Sequence, residues 1–198
     1  MPRIFDNIEQ PLLPALQHTL ATATHADFCV GFFNLRGWRT LADSVERFGG
    51  GEGQCCRLLI GMNETPDAEL RAGLRTLDAV DGIDLQRAAA LKRQVAEQFR
   101  AQLMLGAPTN SDEQTLRQLA NQLRTGKVVV RLHLRYSLHA KLYLLYRPDF
   151  NNPITAFLGS SNLTMAGLRQ QGELNVDVLE HPAPQTLQTW FNDRWNDR

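Results

Sequence analysis

The sequence predicts an α/β fold, a mixed central sheet flanked by helices on both faces, on three observations. Short continuous apolar runs at 27–33 and 55–61 bracket a helically spaced segment at 37–48. Strand–helix–strand order of this kind calls for a parallel pair of strands. Further runs at 128–134, 138–146 and 154–158 alternate or stay apolar over strand lengths. Amphipathic stretches at both ends then supply the covering helices.

In order, 8–23 reads as a helix with Leu12, Leu13, Leu16 and Leu20 on one face. The run 27–33 is aromatic and has Gly31 within it, which favours a buried strand. Trp38, Leu41, Val45 and Phe48 then keep helical spacing, and Gly49, Gly50, Gly51 and Gly53 break the chain. After the strand at 55–61, a helix is expected over about 85–105, with Leu91, Val95, Phe99 and Leu103 as its stripe. A second is expected from Ser111, whose Gln114 three residues on makes a capping box. This pair reads as a helical insertion on the sheet, near 65–126. Strands follow at 128–134, 138–146 and 154–158, then a short helix over 161–168, a strand at 173–179 and a helix at 185–195. The whole, 1–198, reads as a single domain, with further domains expected in a longer parent chain.

The 198 residues carry 21 basic and 21 acidic side chains, so overall charge points to no partner. Its distribution is more telling. Between Gln114 and Pro148 lie Arg117, Arg124, Lys127, Arg131, Arg135, Lys141 and Arg147, and no acidic residue. Such a segment is either a solvated face or a surface that draws polyanions. Cys29, Cys55 and Cys56 lack metal-ligand spacing and sit at apolar runs, which suits buried thiols in a reducing cytoplasm. Asp6 and Glu9 interrupt any early apolar run, and no stretch approaches the ~18 apolar residues of a membrane span. No membrane partner is expected.

The chemistry concentrates in two segments. His139 and Lys141 lie two apart, which on a strand puts both on one face, although strands give such pairs by chance. Gly159-Ser160 then ends a strand and Ser161-Asn162 opens the short helix, a junction whose N–H groups suit a phosphate. The same polar cluster is otherwise an ordinary N-cap.

Together these residues resemble the phospholipase D superfamily, whose signature is His-x-Lys followed by a Gly-Ser-x-Asn turn. The resemblance implies a phosphodiesterase that needs no metal and no cofactor. It makes His139, Lys141, Ser160, Asn162 and Glu173 the site, with Glu173 supporting the catalytic histidine as in the compact bacterial nucleases of the family. Arg131 and Arg135 are expected to bind substrate. The family usually has an aspartate five residues after the lysine; here that position is Tyr146.

A phosphodiester repels nucleophiles by its charge, so such an enzyme must supply cations, a nucleophile and a proton donor. Two imidazoles are needed and one motif is present. His133, expected on a neighbouring strand, has no lysine at the right spacing. A homodimer that apposes two copies of His139 is the simplest solution, and the one that the resemblance implies for single-motif members. Three functions compete: a nuclease acting on nucleic acid, with DNA favoured; a lipid-phosphate enzyme; and a non-catalytic nucleic-acid-binding module.

Overall fold

The computed structural model describes residues 2–61, 109–133 and 138–197, with scattered positions between 89 and 103. Among the described residues, seven strands form one mixed sheet: β1 (Ile4–Phe5), β2 (His25–Val30), β3 (Cys56–Gly61), β4 (Val128–His133), β5 (Leu142–Tyr146), β6 (Ile154–Gly159) and β7 (Asn175–Val178). Their order across the sheet is β1-β7-β6-β5-β2-β3-β4. β2, β3 and β4 run parallel to one another, and the other pairings are antiparallel. The predicted mixed sheet is the observed one.

Helices cover both faces. α1 (Leu12–Leu20), α2 (Leu35–Arg39), α3 (Ala42–Glu46) and α4 (Asn110–Arg124) are the helices of the first face. There Leu12, Leu16, Leu20, Phe28, Trp38 and Phe157 are fully buried in the larger core cluster. Truncating any of these leucines to alanine would cost about 2–5 kcal/mol. α5 (Ala183–Asn196) covers the other face through Phe191 and Trp195, against Cys29, Leu59, Leu142 and Leu144. α4, the end of the expected insertion, is built into the first layer. Buried Gln122 accepts from the Trp38 indole at 3.0 Å and donates to the Ala42 carbonyl at 2.8 Å.

Several expectations are corrected. The single helix at 37–48 is two short ones, α2 and α3. The helix expected from Ser111 starts at Asn110, capped by Thr109, whose hydroxyl accepts from the Asp112 N–H while Asp112 bonds back to the Thr109 N–H. The helix expected at 85–105 lies largely outside the described residues, though those described there are helical and Phe99 packs on Phe33. No helix opens at Ser161. The chain stays non-helical until a π-helical turn at Ala166–Gln170, because Asn175 takes the Ser161 N–H and the Leu163 N–H bonds to the Phe32 carbonyl.

The correction that matters most concerns 138–146. The strand begins at Leu142, so His139 and Lys141 precede it. The reason is topological: β4 is the sheet edge among the described residues, β5 lies beyond β2 and β3, and the chain must pass from one to the other. Leu138 lies against the end of β3, where a β-carbon on Gly61 would collide with the Leu138 carbonyl. His133 sits buried on β4, which is separated from β5 by β2 and β3.

Candidate active site

The site forms at the carboxyl ends of the parallel strands, where α/β sheets commonly place ligands. Gly31, just past β2, is its floor. A β-carbon there would stand 3.4 Å from Asn162 Oδ1, 3.5 Å from Lys141 Nζ and 3.6 Å from the Leu138 carbonyl oxygen. The two segments singled out by sequence therefore meet over one glycine.

Each group is held from behind. The Phe32 N–H donates to Asn162 Oδ1 at 2.9 Å, which leaves the Asn162 NH₂ as the part able to donate to an anion. Lys141 Nζ donates to the His139 carbonyl at 2.5 Å, and the Lys141 carbonyl accepts from Gly159 N–H at 3.1 Å. Burial pulls the Lys141 ammonium below the ordinary lysine value, opposed first by the negative charge of Glu173 and then by Cys29. Glu173 is thus within electrostatic reach of Lys141; its N–H is anchored on the Asp6 carbonyl. Ser160 is exposed, its hydroxyl accepting from the Leu174 N–H at 2.9 Å. His139 is exposed on the same stretch of chain.

Sequence reasoning missed the residues that clamp the turn. Asn175 Nδ2 donates to Ser161 Oγ at 2.8 Å while its Oδ1 accepts from the Ser161 N–H at 3.1 Å. Tyr143 Oη donates to the Ser161 carbonyl at 2.9 Å. The signal was present: Asn175 and Tyr143 each lie two residues beyond a named site residue, Glu173 and Lys141. Gly31 reads in the sequence as a sign of a buried strand, not as the floor of a site.

The structure does not bring Arg131 to this place. It lies on β4, its guanidinium bonded to the Trp195 carbonyl and 4.6 Å over the Trp195 ring. Arg135 lies outside the described residues. Much of the basic segment is engaged locally: Lys127 pairs with Glu46 at 2.6 Å and Arg117 with Glu113 at 2.7 Å.

Lys141 Nζ and the Asn162 side chain thus lie together over Gly31, and exposed His139 and Ser160 belong to the two segments that carry them. The family model for the phospholipase D-like domain of cardiolipin synthase matches residues 53–195, more than half of the chain. The protein therefore belongs to the phospholipase D-like family. No curated protein matches it.

Solved structures agree on the fold. Nuc from Salmonella typhimurium, a phospholipase D family member, aligns with a TM-score of 0.55 at 13% identity, covering 99% of this chain and 94% of that one. NucT from Helicobacter pylori gives 0.53 at 8% identity, covering 98% and 95%. The polyphosphate kinase of Porphyromonas gingivalis gives 0.53 at 9% identity over 99% of this chain but 22% of its own. Identities this low speak for the fold, and the kinase warns that the fold alone does not choose a substrate.

Proposed function

We propose that this protein is a phosphodiesterase that cleaves nucleic acid, without a metal, as a homodimer. The observation that carries the reading is the meeting of Lys141 Nζ and the Asn162 amide over Gly31, beside exposed His139. Lys141 and Asn162 bind the non-bridging oxygens of the phosphate and stabilise the charge of the transition state. Ser160 adds a hydrogen bond.

The His139 imidazole of one subunit attacks phosphorus, forming a P–N bond as the P–O bond to the leaving group breaks. The partner's His139 gives its proton to the leaving oxygen. Water then attacks phosphorus, losing its proton to that same, now neutral, imidazole, and the P–N bond breaks. Glu173 accepts the second ring N–H of His139 and sets its tautomer.

His139→Ala tests this. Cleavage of plasmid and of a chromogenic phosphodiester is expected to fall by more than about a thousandfold, with folding and nucleic-acid binding retained. Cleavage by the wild type should persist in EDTA. Wild-type rates in the variant, or activity lost on chelation and restored by magnesium, would end this mechanism. A wild type that binds DNA and never cuts it would make the protein a binding module instead.

A further inference from the structure

A second cationic feature lies beside this site, built from residues outside the motif. A cleft of about 710 Å³ opens between α2, the start of α4 and the Ala166–Gln170 turn. Arg36, Arg39 and Arg169 line it, with Asn34, Asp112 and Gln170. It adjoins the catalytic turn through the backbone. The Asn34 N–H donates to the Leu163 carbonyl at 3.2 Å, one residue beyond Asn162. A β-carbon on Gly167 would lie 2.8 Å from the Asn162 carbonyl oxygen.

The charges in the cleft do not cancel. Asp112 is its one carboxylate against three guanidinium groups. That carboxylate is committed: it accepts from the Thr109 N–H at 3.0 Å and the Thr109 hydroxyl at 2.8 Å, and lies 3.5 Å from Arg36. Among the described residues neither Arg39 nor Arg169 has a carboxylate partner. Arg39 is aimed rather than neutralised, since it donates to the Ser111 hydroxyl at 2.6 Å. Arg169 is exposed. No lining residue is aromatic, so the cleft has no platform on which a base could stack.

We propose that this cleft seats the sugar-phosphate backbone flanking the scissile phosphate, with Arg39 and Arg169 each contacting a phosphate. This rests on the nuclease reading and deepens it. The cleft then explains how a chain of zero net charge holds a polyanion: beyond Lys141, the needed cations come from α2 and the π-turn rather than from the rest of the basic segment at 114–148. Contacts of this kind position a strand and read no bases, so binding should be indifferent to sequence.

The test compares wild type with Arg39→Gln/Arg169→Gln in the full chain. One substrate is a fluorescent single-stranded oligonucleotide; the other is a chromogenic phosphodiester too small to reach the cleft. The double variant should bind the oligonucleotide about tenfold more weakly, with a salt slope shallower by roughly one to two. Its turnover of the small diester should match wild type. Gln170→Arg, which adds a cation, should tighten oligonucleotide binding a few-fold and steepen the slope. Unchanged affinity and slope in both variants, with wild-type cleavage intact, would overturn the cleft and leave the nuclease reading standing. Equal losses on both substrates would also overturn it, because the substitutions would then be acting through the Asn162 turn. A wild type that neither binds nor cuts the oligonucleotide would remove the nuclease reading and the cleft with it.

Discussion

In the proposed chemistry Lys141 has to carry its proton, and its surroundings set the pH at which it loses it. Burial lowers its pKa below the ordinary 10.5, and Glu173 offsets part of that. Activity is therefore expected to fall on the alkaline side as pH rises through a value below 10.5. Glu173→Gln removes an opposing charge, so the alkaline limb should move to still lower pH, a shift that pH–rate profiles of the two proteins would register. A limb that stays in place would mean that Glu173 does not act on Lys141. Tyr146 is the residue where the family pattern fails. Its hydroxyl donates to Asp27 at 2.6 Å, its ring stacks on His25 with centroids 4.1 Å apart, and Asp27 takes two bonds from Arg57 at 2.5 and 2.6 Å. A carboxylate does stand in this neighbourhood, but β2 supplies it. Tyr146→Phe should cost about 1.5–3 kcal/mol in chemical denaturation, for loss of a buried bond to a charged acceptor. Tyr146→Asp should cost more, since two carboxylates would then share Arg57. Neither should alter phosphate chemistry directly, because Tyr146 lies about 13 Å along β5 from Leu142. The sequence showed the missing aspartate plainly. Its replacement was hidden because Asp27 lies 119 residues away and opens what reads as an apolar strand.

At the scale of elements, strands and helices that bury an apolar face were legible, since that burial is what periodicity records. The segment at 138–141 was not. Leu138, Ala140 and Leu142 continue a strand-like alternation, and nothing local marks the place where the chain must cross the ends of β3 and β2. The turn at 159–162 was hidden for a similar reason: Ser160, Ser161 and Asn162 have the composition of a cap, and Asn175 overrides it from a later strand. The contact of α2 with this turn gives a sharp prediction. A β-carbon on Gly37 would come within 2.6 Å of the Leu163 carbonyl carbon and Thr164 Cα, backbone atoms with no rotamer to yield. Gly37→Ala should lower stability by about 1–3 kcal/mol. It should also lower kcat in the folded fraction, because Asn162 moves with its neighbours. Thermal melts and steady-state rates on the same preparation check both; a stable variant with normal kcat would show that α2 does not position the turn.

For the whole molecule, one His-x-Lys motif in one mixed sheet leaves the proposed chemistry short of a second imidazole. The expected remedy is a dimer in which each active site draws on two chains, and mixing experiments can see it. If wild type and His139→Ala chains exchange freely at equal amounts, about a quarter of the dimers carry two wild-type chains. Activity should then fall to about that fraction, rather than to half. A fall to half would mean that each chain works alone. Light scattering should meanwhile report twice the 22.3 kDa of the chain. The overall α/β architecture was readable because strand–helix–strand order constrains topology so strongly. Strand neighbours were less so: β4 and β5 are consecutive in sequence, yet β2 and β3 lie between them.

The two borders of the sheet are finished differently, and this bears on how the protein behaves in a crowded solution. β7 is closed by β1, a two-residue strand tied down by Arg3, whose backbone N–H and side chain both bond to Asp177 at 2.6 Å. At the other border β4 has a partner on one side among the described residues, and it opens with Val128, Val129 and Val130, good material for recruiting another chain. Arg131 is what interrupts it. The side chain expected to greet a substrate instead lies across Trp195, anchors α5 and places a guanidinium in the middle of an apolar border strand. Arg131→Val should therefore raise the tendency of the protein to self-associate, which light scattering at rising concentration would register.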